Sequence, residues 1–412
     1  MNKVEFSTTN KKAAIVGYNT RLTLSSKHIR STGIAYMREY ILDVLNRDVC
    51  DILSIPHEED SDRAYYKDIR DFESDKLDIN YYDEVFVYNC QMNVFGGAFP
   101  VPSIPTMLTL IKFKGDIWYM LTDPSMPPIN VMLITKQKLK FCDVPGCAKM
   151  ADGSVKPVTD DDVANFTHNV FEKTRVAFCG LDYKKYFDQY NARSRLDTRK
   201  ILDVDWAYFG QHEYYATREF LDLKLQSPDK DEDSFDFVYC GNHRASRDEV
   251  IKAVVSHSDL KCAVVGYGDF ITSDNLSSFD YMSHEDMFNF INKKAYATVV
   301  MGDPLHNNNI ITPRFYESML LNTVAFIWHK YDTAKKFVKN EELKNFIYVS
   351  SGDELHDKIL MIKNSKDLFD HIVELERKEA LDSVGIKDPD KFIKSIDTDV
   401  LKLKSRKSTK RA

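Results

Sequence analysis

The stretch FDFVYCGNHRASRDEVIKAVVSHSDLKCAVVGYG, residues 235–268, reads as strand, small-residue turn, helix and second strand. Its two apolar runs are continuous, not alternating. Strands of that kind are covered on both faces, as parallel strands joined by crossover helices are. The same pattern extends outward in both directions. Apolar runs ending in Gly, Asn, Asp or a similar polar residue recur as AAIVGYN (13–19), EVFVYNC (84–90), IWYMLTD (117–123), RVAFCGLD (175–182), FDFVYCGN (235–242), KCAVVGYG (261–268), ATVVMGD (297–303), TVAFIWH (323–329) and NFIYVS (345–350). Helix-like segments lie between them, at Ile34–Leu45, Arg247–Ser256, His284–Asn292, Pro313–Leu321 and Asp353–Met361. Strand–helix alternation predicts an α/β protein with parallel, doubly wound, Rossmann-like sheets.

Four runs precede residue 185 and five follow residue 234. This spacing predicts a first domain over 1–190, a linker or crossover over 191–234 and a second domain over 235–370. The remainder, 371–412, reads as a helix (Phe369–Leu381) that packs back on the first domain, followed by a flexible basic tail. The segment Pro124–Thr174 is turn-rich and poorly periodic, and reads as an insertion in the first domain.

The composition is that of a globular protein, with 43% hydrophobic and 29% charged residues. No apolar run approaches the roughly 20 residues of a membrane-spanning helix, and Met1–Lys12 lacks a signal-peptide core, so a cytoplasmic protein without a membrane partner is expected. The seven cysteines are scattered, most of them in apolar runs, and read as buried reduced thiols. Cys142 and Cys147 have no histidine or second cysteine pair nearby, so no zinc site is expected there. The net charge of −7 disfavours nucleic acid as a bulk partner, but basic clusters at Lys136–Lys140 (Lys136, Lys138, Lys140), Lys184–Lys200 and Lys402–Arg411 allow a local DNA-binding face. Neither a G-x-G-x-x-G after the first strand nor a P-loop is present, which disfavours dinucleotide oxidoreductases and P-loop phosphotransferases.

Ligands of open α/β sheets bind at the carboxyl ends of the strands, and the reactive residues fall there. After FVYC come Gly241, Asn242, Arg244 and Arg247 at a helix start, where backbone N–H groups and arginines suit a diphosphate. The alternative is a pair of solvated helix-start arginines. In GDPLHNNNIITPRFYESM (302–319), Asp303 ends a strand, and Arg314 and Glu317 sit one turn apart on the next helix. They suit a diphosphate and a ribose diol, or a plain i,i+3 ion pair. Asp123 ends a strand before a proline-bound loop and can act as a general base on an acceptor hydroxyl, or merely form the turn. Asn93, Phe95, Gly96 and Gly97 form a polar loop with an aromatic face and close backbone access, or simply a tight turn.

Taken in order, NCQMNVFGGAFP (89–100), IWYMLTDPSMPP (117–128), FVYCGNHRASRDE (237–249) and TVVMGDPLHNNNIITPRFYESMLLNTVAFI (298–327) with YDT (331–333) resemble the phage DNA β-glucosyltransferases, over residues 13 to about 375. AAIVGYNT fits as the first strand and AYFGQHEYY (207–215) as the crossover. The resemblance implies a GT-B glycosyltransferase, its two Rossmann-like domains facing a deep cleft. It implies an inverting transfer from a UDP-sugar to the hydroxymethyl group of 5-hydroxymethylcytosine in double-stranded DNA, with the base flipped out. Asp123 becomes the base, Arg244, Arg247 and Arg314 hold the diphosphate, and Glu317 holds the ribose. Backbone near Met282–Ser283 reads the uracil, and Asn93, Phe95, Gly96 and Gly97 receive the acceptor. The family carries a glutamate near the sugar in the loop after the first strand. Here SSKHIRSTGI (25–34) has no carboxylate, so UDP-arabinose stands beside UDP-glucose as the expected donor. No D-x-D motif occurs, so a divalent cation (Mg or Mn) is expected as an aid to UDP departure without a protein ligand set. The protein is expected to be a monomer. Two other readings share these residues: a GT-B enzyme for a small-molecule or glycan acceptor, and a non-catalytic nucleotide-sugar-binding protein.

Overall fold

The computed structural model describes residues 1–7, 10–17, 34–54, 65–88, 109–122, 147–149, 155–157, 173–193, 204–223, 225 and 227–384. The chain forms two compact units. The first comprises Met1–Tyr215, Met301–Pro313 and His329–Phe337, and the second Ala216–Val300, Arg314–Trp328 and Val338–Ala412.

The first unit is built on β1 (Lys12–Gly17), β2 (Val49–Ser54), β3 (Tyr66–Asp68), β4 (Glu84–Tyr88), β5 (Asp116–Leu121), β8 (Thr174–Phe178) and β9 (Trp206–Tyr208), in the order β3-β2-β1-β4-β5-β8-β9. Every pairing is parallel. A separate antiparallel hairpin, β6 (Cys147–Lys149) with β7 (Val155–Pro157), lies within the predicted insertion. Helices α1 (Ile34–Asp43), α2 (Ile69–Glu73), α3 (Tyr183–Arg193) and α4 (Gln211–Asp222) accompany the sheet. Ala13, Ala14, Ile15 and Val16 of β1 are all fully buried, as are Val176, Ala177 and Phe178 of β8. Burial of both alternating sets is why these strands read as continuous apolar runs. Phe178 packs against Tyr183 and Tyr186 of α3 and against Trp206 of β9.

The second unit carries β10 (Phe235–Cys240), β11 (Cys262–Val265), β12 (Leu276–Phe279), β13 (Ala295–Val300), β14 (Val324–Trp328) and β15 (Tyr348–Val349), in the order β12-β11-β10-β13-β14-β15 and again all parallel. Its helices are α5 (Asp248–Val255), α6 (His284–Lys294), α7 (Pro313–Leu320), α8 (Glu341–Ile347), α9 (Gly352–Asn364) and α10 (Lys366–Val384). The α5 helix shows why they form. Val250, Ile251, Val254 and Val255 bury one face, and Asp248 and Glu249 place negative charge at the positive end of the helix dipole. Numbered within each unit, both sheets run 3-2-1-4-5-6, with a seventh strand in the first. The order reverses between β1 and β4, and between β10 and β13. That reversal opens a crevice at the carboxyl ends of the central strands.

All nine expected runs contain strands. Within the expected linker or crossover over 191–234, Trp206–Tyr208 is the edge strand of the first sheet, and α4 carries the chain from Tyr215 of the first unit to Ala216 of the second. A strand of only three residues between polar stretches gave no periodic signal. The terminal helix is expected from the sequence to pack back on the first domain. α10 belongs to the second unit, where its buried Glu376 accepts a hydrogen bond from the Ala325 N–H of β14 at 2.8 Å. Residues 385–412, including the basic tail, lie outside the described residues.

Candidate functional site

In the second unit the chain leaves β10 through Gly241 at φ +153° and leaves β11 through Gly266 at φ +149°, backbone angles that side-chain-bearing residues rarely adopt. The two turns nest against each other. A Cβ on Gly266 would stand 2.3 Å from the Gly241 carbonyl oxygen, so any larger residue would push the strand ends apart. Gly241 N–H donates to Val265 O at 2.9 Å, His243 N–H to Tyr267 O at 2.7 Å, and Tyr267 N–H to the Asn242 side-chain oxygen at 3.3 Å.

Onto this scaffold the structure brings Arg247, Arg314 and Glu317. Arg247 Nη1 donates to the Tyr239 hydroxyl at 2.7 Å and to Asn242 O at 3.3 Å. The Tyr239 phenol has its pKa pushed up by burial, opposed by the positive charges of Arg247 and Arg314. Arg314 Nη1 lies 3.2 Å from Glu317 Oε2, so the i,i+3 ion pair exists. It leaves the other oxygen, Glu317 Oε1, buried with no hydrogen-bond partner. A buried carboxylate oxygen in that state calls for a donor. Burial pushes the neighbouring Cys240 thiol up to about 12, so it stays protonated and unreactive. Arg244 stands exposed at the N-cap of the 3₁₀ turn Ala245–Arg247. Ser283 caps α6, its hydroxyl accepting from Asp286 N–H at 3.2 Å.

Sequence reading missed an aromatic platform here. Tyr267 and Tyr281, just beyond β11 and β12, stack with ring centroids 5.1 Å apart and planes 1° from parallel. They are 61% and 38% exposed, against the rule for large rings. Their signal was an aromatic just past each strand end, in GYGD and DYMS.

In the first unit β5 ends at Leu121 and the described chain at Thr122. Asp123 lies outside the described residues, as do Asn93, Phe95, Gly96, Gly97, Lys136, Lys138, Lys140 and all of 25–33. The last described residue before Asp123, Thr122, is held by a buried histidine. His212 of α4 is buried, with Nε2 2.9 Å from Thr122 O and Nδ1 2.8 Å from Ile311 O. A neutral imidazole carries one N–H and can donate to one carbonyl; an imidazolium satisfies both. Nothing in the spacing of the chain singles out this histidine. The polar loop 302–312 is tied down by its asparagines. Fully buried Asn309 exchanges hydrogen bonds with Asp182, at 2.7 and 2.8 Å. The Asn308 side-chain oxygen accepts from Thr333 N–H at 2.6 Å, and the Tyr331 hydroxyl accepts from Thr312 N–H at 2.8 Å. These bonds join the NNN run to the later YDT. Asp303 N–H donates to His306 Nδ1 at 2.9 Å. Two lysines of the basic stretch 184–200 have internal partners: Lys184 pairs with Asp188 at 2.7 Å, and Lys185 donates to Asn308 O at 2.9 Å.

Of the described cysteines, Cys50, Cys179, Cys240 and Cys262 are buried free thiols, as expected. Among the described residues, no helix is long and apolar enough to cross a membrane.

No family model matches the chain. It is similar to the DNA β-glucosyltransferase of Enterobacteria phage T4, with 22% identity over 324 residues, 73% of this chain and 79% of that protein. Two T4 phage β-glucosyltransferase structures, one with UDP-glucose and one with UDP and Mn²⁺, each align over 94% of this chain and 99% of theirs. Both have TM-scores of 0.59, at 18% and 20% identity respectively. The motif order, the twice-used strand order and these likenesses agree: the chain has the GT-B fold and is similar to the phage DNA β-glucosyltransferases.

Proposed function

We propose that this protein transfers a sugar from a UDP-sugar to the hydroxymethyl group of 5-hydroxymethylcytosine in double-stranded DNA, acting as a monomer in the host cytoplasm. The observation that carries the donor half is the convergence of Arg247, Arg314 and Glu317 on the carboxyl end of β10, with Glu317 Oε1 buried and lacking a donor. The arginines receive the diphosphate, and they offset the charge that grows on UDP as the glycosidic bond breaks. A ribose hydroxyl supplies the hydrogen bond that Glu317 Oε1 lacks. The exposed Tyr267–Tyr281 stack, two residues from Ser283, gives uracil a flat face. Arg244 supplies a further positive charge at the turn.

The acceptor half follows from position in the chain. Asp123 comes two residues after the end of β5, and removes the proton from the acceptor hydroxyl as that oxygen attacks the anomeric carbon. Configuration inverts, because oxygen enters opposite the departing UDP. A stacked base cannot present its hydroxymethyl group to such a residue, so it is flipped out of the duplex. Asn93, Phe95, Gly96 and Gly97 receive it, while Lys136, Lys138 and Lys140 meet phosphates. A divalent cation at the donor would be held by the diphosphate, where its charge eases UDP departure.

The test is mass spectrometry of hydroxymethylcytosine duplex DNA after incubation with competing UDP-glucose and UDP-arabinose. A mass increase on duplex, absent without enzyme, is expected. The absence of a carboxylate in SSKHIRSTGI predicts that arabinose competes with glucose. A large preference for glucose would remove that part of the reading. Equal activity on free hydroxymethyl nucleoside would remove the DNA acceptor.

A further inference from the structure

We propose that His257, Asp259 and His356 form a binding site for one divalent transition-metal ion of the Zn²⁺ class. Their ligating atoms lie within 4.8 Å of one another, the one such group among the described residues. His257 and Asp259 sit in the turn after α5, and His356 on α9. The two imidazole rings stack with centroids 4.2 Å apart. Each ring also faces a carboxylate: His356 Nε2 is 2.9 Å from Asp259 Oδ2, and His257 Nε2 is 3.2 Å from Asp353 Oδ1.

These separations bear on metal binding. With metal–nitrogen and metal–oxygen bonds near 2.0–2.2 Å, the edge of a tetrahedral site is about 3.3 Å. The His356–Asp259 pair, at 2.9 Å, is already spaced within a few tenths of an ångström of that edge. Two imidazoles with one carboxylate suit Zn²⁺, Co²⁺ or Ni²⁺ better than the oxygen-seeking Mg²⁺ or Ca²⁺. The histidine side chains are only 22% and 16% exposed, while Asp259 and Asp353 are 59% and 90% exposed, so an ion has an open approach.

The frame behind the cluster is firm. The Asn275 side-chain amide donates to the carbonyls of Val255, His257 and Leu260 at 3.2, 3.0 and 3.1 Å, which fixes the turn bearing His257 and Asp259. α9 starts in contact with α5, since a Cβ on Gly352 would stand 2.7 Å from Ala253 O. An ion here would clip the α5 turn to α9. The cluster is separate from the donor corner: Arg247 precedes α5 and His257 follows it, so the helix stands between them with a length of about 12 Å.

Full-length metal-free protein titrated with Co²⁺ tests this. One equivalent should give the visible absorption of low-coordinate Co²⁺, which Zn²⁺ should then bleach, and Zn²⁺ should raise the unfolding temperature. The double variant His257→Ala/His356→Ala should lose the band and the thermal shift while keeping its UDP affinity. Asp259→Asn, a surface change safe for folding, should weaken Co²⁺ binding at least tenfold. No band in the wild-type protein, or a band unchanged in the double variant or in Asp259→Asn, overturns the proposal.

Discussion

The two sheets share one strand order and differ in how they finish it. In the second unit β10 and β11 end in short nested turns, and the candidate donor-site groups lie within a few residues of the β10 turn or on a helix beside it: Gly241, Asn242 and Arg247 after β10, with Arg314 and Glu317 added from α7. In the first unit the central strand ends, β1 and β4, lead into residues 18–33 and 89–108, outside the described residues, and the described support comes from a buried histidine and a tyrosine distant in sequence. A corner made of tight turns is encoded locally. Support that comes from residues distant in sequence is not announced by the local sequence.

The comparison is most exposed at Asp123. Asp123→Asn should fold, bind UDP-sugar and DNA, and lose roughly 10²–10⁴-fold in single-turnover rate. A variant with near-normal turnover would break the division of labour, leaving Asp123 as a turn former. The next effect concerns stability, and belongs to the first unit alone. Burial raises the Glu213 carboxyl to about 7, against 4.5 in the unfolded chain, even though the Tyr208 hydroxyl donates to it at 2.7 Å. A carboxyl that resists ionising in the fold stabilises it below about pH 4.5. That contribution drains away as the pH rises through 7, by on the order of 3 kcal/mol. Glu213→Gln should flatten this part of the pH–stability curve in denaturant titrations; an unchanged slope would show that Glu213 ionises freely. The third effect sharpens the donor side. Arg247→Ala and Arg314→Ala should each weaken UDP binding by roughly 1.5–3 kcal/mol in calorimetry, the scale of a charged hydrogen bond. If affinity is unchanged in both, the arginines serve only Tyr239 and Glu317.

The same contrast explains what the sequence disclosed. Strands buried on both faces, such as AAIVG and FDFVYC, announce themselves. β2 does not, because VCDILS is broken by Asp51, whose buried carboxylate accepts the Tyr82 hydroxyl at 2.7 Å. β12 is an edge strand with both serines exposed, LSSF, and β9 is three residues long. Half of NFIYVS closes helix α8, leaving only Tyr348–Val349 as strand. At the site, Arg247, Arg314 and Glu317 were legible because each lies at or near a helix start. The roles of His212 and Tyr331 were not, because each acts by accepting or donating to a backbone about 20–100 residues away.

The division of the chain between units has a consequence for how the protein is made. The backbone passes from one unit to the other after Tyr215, Val300, Pro313, Trp328 and Phe337. Domains of most proteins finish folding one after another as they leave the ribosome. Here the amino-terminal unit still lacks Asn309 and Tyr331, which tie down its polar loop, until residue 337 has emerged. By then most of the second sheet is already synthesised. The two halves must therefore mature together, and a nascent chain arrested before that point should remain a client for chaperones.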